Sequence, residues 1–237
     1  MKIAILTGAN GQLGHAYLKT LVNLDYFVYA IDINVDDIEY SDKIKFVKLD
    51  ITNEKEVHDF HKSIKRVDIL INNAGIGVFT PFEERTAKEF MQVMNVNLLG
   101  TFLMSQSAIK IMKNQKFGKI INIGSIYGQV SSDERIYGDS GRNNSEVYSA
   151  TKAGIIHMTK YMATHFGKYG IQTNCISPGG IFNNQSQEFI NNYVSKNPMN
   201  RMGTPDDLQS ALKFLISEEN MYLNGQNITV DGGFVAW

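Results

Sequence analysis

Short apolar runs at positions 3–6, 27–31, 44–49, 67–71, 119–123, 171–176 and 227–230 are separated by stretches whose apolar residues recur every three or four positions. The runs have the length of strands, the spacers the period of amphipathic helices. After the first run, Leu13, Tyr17, Leu18, Leu21 and Val22 share one helical face. After the third, Asp50-Ile51 leads to Thr52 or Asn53 as the cap of a further helix. Thr86 and Glu89 have capping-box spacing at the head of a long helical pattern that reaches roughly position 113. Asn95, Asn97 and Gly100 are poor helix formers in its interior and predict a local break there. Ser145 caps a helix carrying Ile155, Ile156, Thr159, Met162 and Phe166. Such alternation predicts right-handed crossovers and an α/β fold, a doubly wound parallel sheet of seven strands with helices on both faces. With 237 residues and neither repeat nor linker, the chain reads as one domain over 1–237.

Composition narrows the function classes. A formal net charge of −1 and the lack of a basic run argue against a nucleic-acid partner. No apolar run approaches the ~20 residues of a membrane span. The apolar start is too short for a signal peptide, so a cytoplasmic protein is expected. The single cysteine, Cys175, lies in an apolar phrase and reads as a buried, inert thiol. No residues stand out as metal ligands.

The candidate chemistry gathers at strand ends. Tyr148 and Lys152 are four apart on the Ser145 helix, so phenol and ammonium share a face one turn apart. A free phenol, with a pKa of about 10, is a poor proton donor near neutrality, and a neighbouring cation stabilises its anion. The first run ends in Gly8-Ala9-Asn10-Gly11-Gln12-Leu13-Gly14, a glycine-rich turn between strand and helix that suits a pyrophosphate at a helix N-terminus. Asp32 closes the second strand about 20 residues on, where a carboxylate accepts ribose hydroxyls and repels a 2′-phosphate. Asn72-Asn73-Ala74-Gly75, Ser125 and Pro178-Gly179-Gly180-Ile181 each follow another strand. Ligands bind at the carboxyl edge of such sheets, so one site is expected.

In this order the residues resemble the short-chain dehydrogenase/reductase family, in its shorter single-domain branch, along essentially the whole chain. The resemblance implies a Rossmann sheet, a nicotinamide cofactor and the tetrad Asn97, Ser125, Tyr148 and Lys152. Ser125 would fix the substrate oxygen, Tyr148 exchange a proton with it, Lys152 support Tyr148 and the nicotinamide ribose, and Asn97 hold a water. Cofactor contacts are implied for Gly8, Asn10, Gly11, Gln12, Leu13, Asp32, Ile33, Asp50, Ile51, Asn73, Ala74, Gly75, Tyr148, Lys152, Pro178, Gly179 and Ile181. Asp32 favours NAD over NADP, and the family implies a homotetramer with the long helices and C-terminal end at interfaces. The chain departs from the short branch in three places. Its glycines read G-x-x-G-x-x-G, as in the longer, sugar-nucleotide-modifying branch. An insertion separates Ser125 from Tyr148, and Asn183 stands where threonine usually follows Pro-Gly.

Two variable segments bear on substrate, the insertion at about 131–145 and a lid at about 182–202. The first is mostly polar and carries Arg135 and Arg142, either of which suits a phosphate or carboxylate. The second is rich in asparagine and resembles reductases of bacterial surface-sugar and flagellin-glycan pathways. A polar substrate, a sugar or sugar phosphate, is expected of an NAD-dependent oxidoreductase that interconverts a secondary alcohol and a ketone. The alternatives are an NAD-retaining sugar epimerase or dehydratase, suggested by the glycine spacing, and a non-catalytic dinucleotide sensor.

Overall fold

The computed structural model describes residues 1–34 and 41–237. Seven parallel strands, β1 (Lys2–Thr7), β2 (Tyr26–Asp32), β3 (Ile44–Lys48), β4 (Ile69–Asn72), β5 (Gly118–Ile123), β6 (Ile171–Pro178) and β7 (Asn227–Val230), form one sheet in the order 3-2-1-4-5-6-7. The helices are α1 (Gln12–Asn23), α2 (Glu54–Lys62), α3 (Ala87–Val93), α4 (Thr101–Gln115), α5 (Glu146–Phe166), α6 (Gln187–Val194) and α7 (Gln209–Ile216). No helix among the described residues is long and apolar enough to cross a membrane.

The caps follow from local chemistry. The Asn53 side chain accepts the Lys55 and Glu56 N–H groups, and Thr86 with Glu89 closes a reciprocal capping box. The predicted break is a π-helical turn over Met94–Gly100 between α3 and α4. Gly100 permits it to press on the turn after β3, because a Cβ there would lie 2.5 Å from the Ile51 side chain. Helix α7 carried no sequence expectation, although Thr204 and Asp207 cap its entry and Leu212, Leu215 and Ile216 are buried. These residues pack with Tyr17, Leu18 and Leu21 of α1 on one face of the sheet. Val57, Leu103, Met104, Met112 and Met162 fill the opposite face. Burying such a side chain contributes roughly 1.5–3 kcal/mol each.

Lys119 joins α7 to the sheet. It is 2% exposed, and its Nζ donates to the Ser217 and Asn220 carbonyls, both at 2.7 Å, just beyond the helix end. An ammonium there answers both the unpaired carbonyls and the negative end of the helix. Lys119→Met keeps the stem and removes the charge, and should cost about 2–3 kcal/mol, the scale of lost charged hydrogen bonds. Thermal unfolding should drop by roughly 5–10 °C. A midpoint unchanged within a degree would mean that water satisfies those carbonyls equally well.

Candidate active site

The strand order reverses between β1 and β4, and a cavity of about 1360 Å³ opens there, at the carboxyl edge of the sheet. Gly8 follows β1 with φ +64°, and a Cβ on it would lie 2.7 Å from Ala74 Cα in the turn after β4. A Cβ on Gly14 would collide with the Gly8 carbonyl oxygen. The two glycines thus fold the loop tightly over the start of α1. Gly11 supplies no side-chain cap to that helix, and its first turn holds no acidic residue. The Gly11 N–H closes the loop onto the Gly8 carbonyl at 3.2 Å, and the first-turn N–H groups of Gln12 and Leu13 border the cavity, ready for an anion. The buried Thr7 hydroxyl accepts the Asn73 and Ala74 N–H groups, both at 3.1 Å, and Asn73 Nδ2 donates to the Gly8 carbonyl. Both sides of the crevice are therefore tied together.

Asp32 stands at the end of β2, where the Asn10 and Asn34 N–H groups donate to its two oxygens at 3.0 and 3.2 Å. Asn10 also lines the pocket, and its Oδ1 is buried without a partner. Asp50 uses one oxygen to hold Thr52, and Asp50 and Ile51 line the wall next to it. The glycine cradle, the pinned carboxylate and the orphaned acceptor fit the phosphates and adenosine ribose of a dinucleotide.

At the other end, Ser145 is fully buried and its hydroxyl oxygen accepts the Tyr148 N–H at 3.2 Å, which sets Tyr148 in the first turn of α5. Lys152 is 4% exposed, donates from Nζ to the Ile123 carbonyl at 2.7 Å and lies 5.5 Å from the Tyr148 ring centre. Ser125 follows β5 and faces the same space. Beneath them a buried polar chain locks α4 and α5 to the sheet. Asn72 donates to Ser105 and Asn122, and Asn122 donates to Thr159.

Every residue expected in the tetrad or at the cofactor lines this cavity except Asn97. Asn97 is fully buried in the π-helical turn behind the wall. Its Oδ1 accepts the Ile76 N–H at 2.8 Å, and its Nδ2 donates to the Ile76 carbonyl and to Thr151 Oγ1. The side chain expected to hold a water thus has its hydrogen-bonding groups engaged by protein. Thr151 in turn donates to the Tyr148 carbonyl, which links Asn97 to the helix of the phenol.

The insertion is less polar in effect than in composition. Ile136 is fully buried and Tyr137 nearly so, packed with Phe189, Tyr193 and Met202 of the lid segment. Asp133 pairs with Lys196, and Asn192 donates to the Arg135 carbonyl. The lid itself is pinched at its base, where Phe182 N–H donates to the Gly203 carbonyl and Gly203 N–H to that of Gly180. Sequence reading gave no sign of Phe79, and it did not single out Tyr127, Tyr137, Gln185 and Phe189 as cavity residues. Tyr127 had a signal in its position two residues past Ser125, and Tyr137, Gln185 and Phe189 lie within the two segments expected to bear on substrate. Tyr127 is no rival to Tyr148, because burial holds its phenol well above the ordinary range, and Tyr137 is raised in the same way. Cys175 is buried, its thiol pushed up to about 11 by desolvation. No cluster of metal-binding side chains occurs among the described residues.

Comparison with known proteins agrees with this geometry. The profile of the family described as enoyl-(acyl carrier protein) reductase matches residues 13–235. The chain is 38% identical to the 3-oxoacyl-(acyl-carrier-protein) reductase FabG of Buchnera aphidicola, across 98% of this chain and 96% of that one. It is 34% identical to the 2-dehydro-3-deoxy-D-gluconate 5-dehydrogenase of Formosa agariphila, across 99% and 93%. Among solved structures, a short chain dehydrogenase from Leptospira borgpetersenii with bound NAD+ superposes with a TM-score of 0.94 at 47% identity, covering 98% of this chain and 92% of that one.

Proposed function

The chain belongs to the short-chain dehydrogenase/reductase family and is an oxidoreductase acting at a CH–OH group; we propose that it uses NAD to interconvert a secondary alcohol and a ketone on a small polar substrate. The observation that carries the reading is the convergence of Ser125, Tyr148 and Lys152 on one cavity with the glycine cradle and Asp32. NAD, held along Gly8–Gly14, Asp32, Asp50 and Asn73–Gly75, would exchange a hydride with the substrate carbon. The NAD+ held by the Leptospira relative supports this choice of cofactor.

The protein's own contribution is position and proton traffic. Ser125 Oγ accepts the Tyr127 N–H at 3.1 Å, which leaves its proton free for a substrate oxygen. Tyr148 gives its proton to that oxygen in reduction and takes it back in oxidation. The Lys152 ammonium lies near enough to stabilise the phenolate, and the Ile123 carbonyl fixes its direction. Asn97 is a positioning residue that holds the Gly75-Ile76 wall against the π-helical turn and α5.

A polar substrate is supported by the wall beyond Tyr148, which Arg142 and Asn144 line. The test is NAD+ reduction with a panel of polyols, sugar acids, sugar phosphates and hydroxy acids, set against NADH oxidation with acetoacetyl-CoA. A polar hydroxy compound should exceed the thioester at least tenfold in kcat/KM. Turnover of the thioester alone would instead favour the activity named for the Buchnera relative. Net NADH formation rules out an NAD-retaining epimerase or dehydratase, and NADH binding without turnover of any compound would indicate a sensor. A homotetramer belongs to the same reading, supported by Leu99 and Phe102 exposed on the π-helical turn and α4 and by Tyr161 exposed on α5. Light scattering on the purified protein measures it.

A further inference from the structure

The cavity is electrically polarised along its length. Its carboxylates, Asp32 and Asp50, stand together at the ends of β2 and β3. Around the rest of the wall the ionisable side chains of fixed charge are Lys88, Arg142 and Lys152, and no Asp or Glu accompanies them. One end therefore suits ribose hydroxyls, and the other attracts negative charge. Lys152 points its ammonium at the Ile123 carbonyl, and Lys88 is exposed on the first turn of α3.

Arg142, although exposed like Lys88, differs from both in what it rests on. Its guanidinium carbon lies 4.1 Å from the centre of the Phe79 ring, and no carboxylate pairs with it among the described residues. A guanidinium resting on an aromatic face keeps the N–H groups around its edge free for a forked contact. The backbone beneath it is built rather than loose. Ser140 Oγ donates to the Tyr137 carbonyl at 2.6 Å, and the Asn143 N–H donates to the Phe79 carbonyl. Tyr137 is itself buried against the lid. A Cβ on Gly77 would lie 3.7 Å from Tyr148 Cδ2 and 3.9 Å from Phe79 Cζ, so the ring that carries Arg142 and the ring of the reacting phenol border the same glycine. Arg135, equally eligible by sequence, is excluded. Asp133 grips it through two contacts at 2.9 and 2.8 Å, and it does not line the cavity.

We propose that the substrate carries an oxyanion, a carboxylate or a phosphate, a few bonds from the reacting carbon, and that Arg142 is its anchor. The inference deepens the dehydrogenase reading and rests on it for the identity of the pocket. A neutral polyol of the same size would leave the guanidinium with no counter-charge.

Binding tests it independently of turnover. The NADH-loaded protein is titrated calorimetrically with succinate and with inorganic phosphate, as wild type, Arg142→Gln, Arg142→Lys and Arg135→Gln. Wild type should bind at least one probe, and which one distinguishes carboxylate from phosphate. Arg142→Gln should weaken that probe 10–100-fold with NADH affinity unchanged, Arg142→Lys should recover part of the loss, and Arg135→Gln should match wild type. For any turned-over acid and its methyl ester, Arg142→Gln should raise KM only for the acid, with kcat nearly constant. Absence of binding by wild type, or equal binding by Arg142→Gln, overturns the proposal. Arg142-dependent binding without turnover of any alcohol would uphold the anchor and count against the dehydrogenase reading instead.

Discussion

Tyr148→Phe should lower kcat by about three orders of magnitude or more, roughly 4 kcal/mol of transition-state stabilisation, while NADH affinity changes less than twofold. The substitution removes one oxygen and leaves the ring, the Ser145 cap and the Lys152 contact in place. General acid–base groups typically contribute 10²–10⁴-fold, and loss of the phenol that shares the cavity with Ser125 and Lys152 belongs at the upper end. Lys152→Ala should behave differently. It removes a charge that supports the phenolate and also borders the cofactor pocket, so kcat and NADH affinity should fall together. Stopped-flow turnover and fluorescence titration on the two variants separate the cases. If Tyr148→Phe kept more than a few per cent of activity, proton transfer would have to be assigned elsewhere. Tyr127 and Tyr137 would be poor replacements, because burial makes both weaker acids than a free phenol.

NADH should bind about 10–100-fold more tightly than NADPH, a difference of roughly 1.4–2.7 kcal/mol set by Asp32. Two unit charges 4 Å apart interact by about 4 kcal/mol at an effective dielectric of 20, and salt reduces that at an open site. The carboxylate cannot simply swing away, since the Asn10 and Asn34 N–H groups hold both of its oxygens. Asp32→Ala should narrow the gap mainly by relieving NADPH. Adding Ile33→Arg should reverse it, because Ile33 is 66% exposed and can carry a cation toward a 2′-phosphate without disturbing the core. Parallel fluorescence titrations with both cofactors measure each step. Equal affinities in the wild type would remove Asp32 from the ribose site.

Much of this was legible along the chain because it depends on neighbours in sequence. A strand declares itself by a run of apolar residues, and α5 by Ser145 at its start and a helical stripe behind it. The pairing of Tyr148 with Lys152 is a property of helical pitch alone. The edge of the sheet on which the motifs meet follows from strand–helix alternation, since each motif trails a strand and parallel crossovers bring those ends to one side. The break near Asn97 was visible as poor propensity, and it is a π-helical turn. What Asn97 does there was not visible, because its partners are Ile76 and Thr151, 21 and 54 positions away.

The insertion and the lid mark the boundary between the two kinds of information. Their polar composition predicted solvated or substrate-facing loops, yet Ile136 and Tyr137 anchor one to the other through Phe189, Tyr193 and Met202. Composition treats Arg135 and Arg142 as equals. The fold does not, since it seats one on Asp133 and the other on Phe79 at the cavity wall. By itself the sequence determined the strands, the caps, the glycine turn and the order of the chemical groups, because backbone sterics and helical or strand periodicity act over a few residues. Which arginine faces the pocket, and which buried side chains hold the wall, was decided only by the tertiary structure, because those contacts join residues far apart in the chain whose approach is set by the packing of the sheet and its helices.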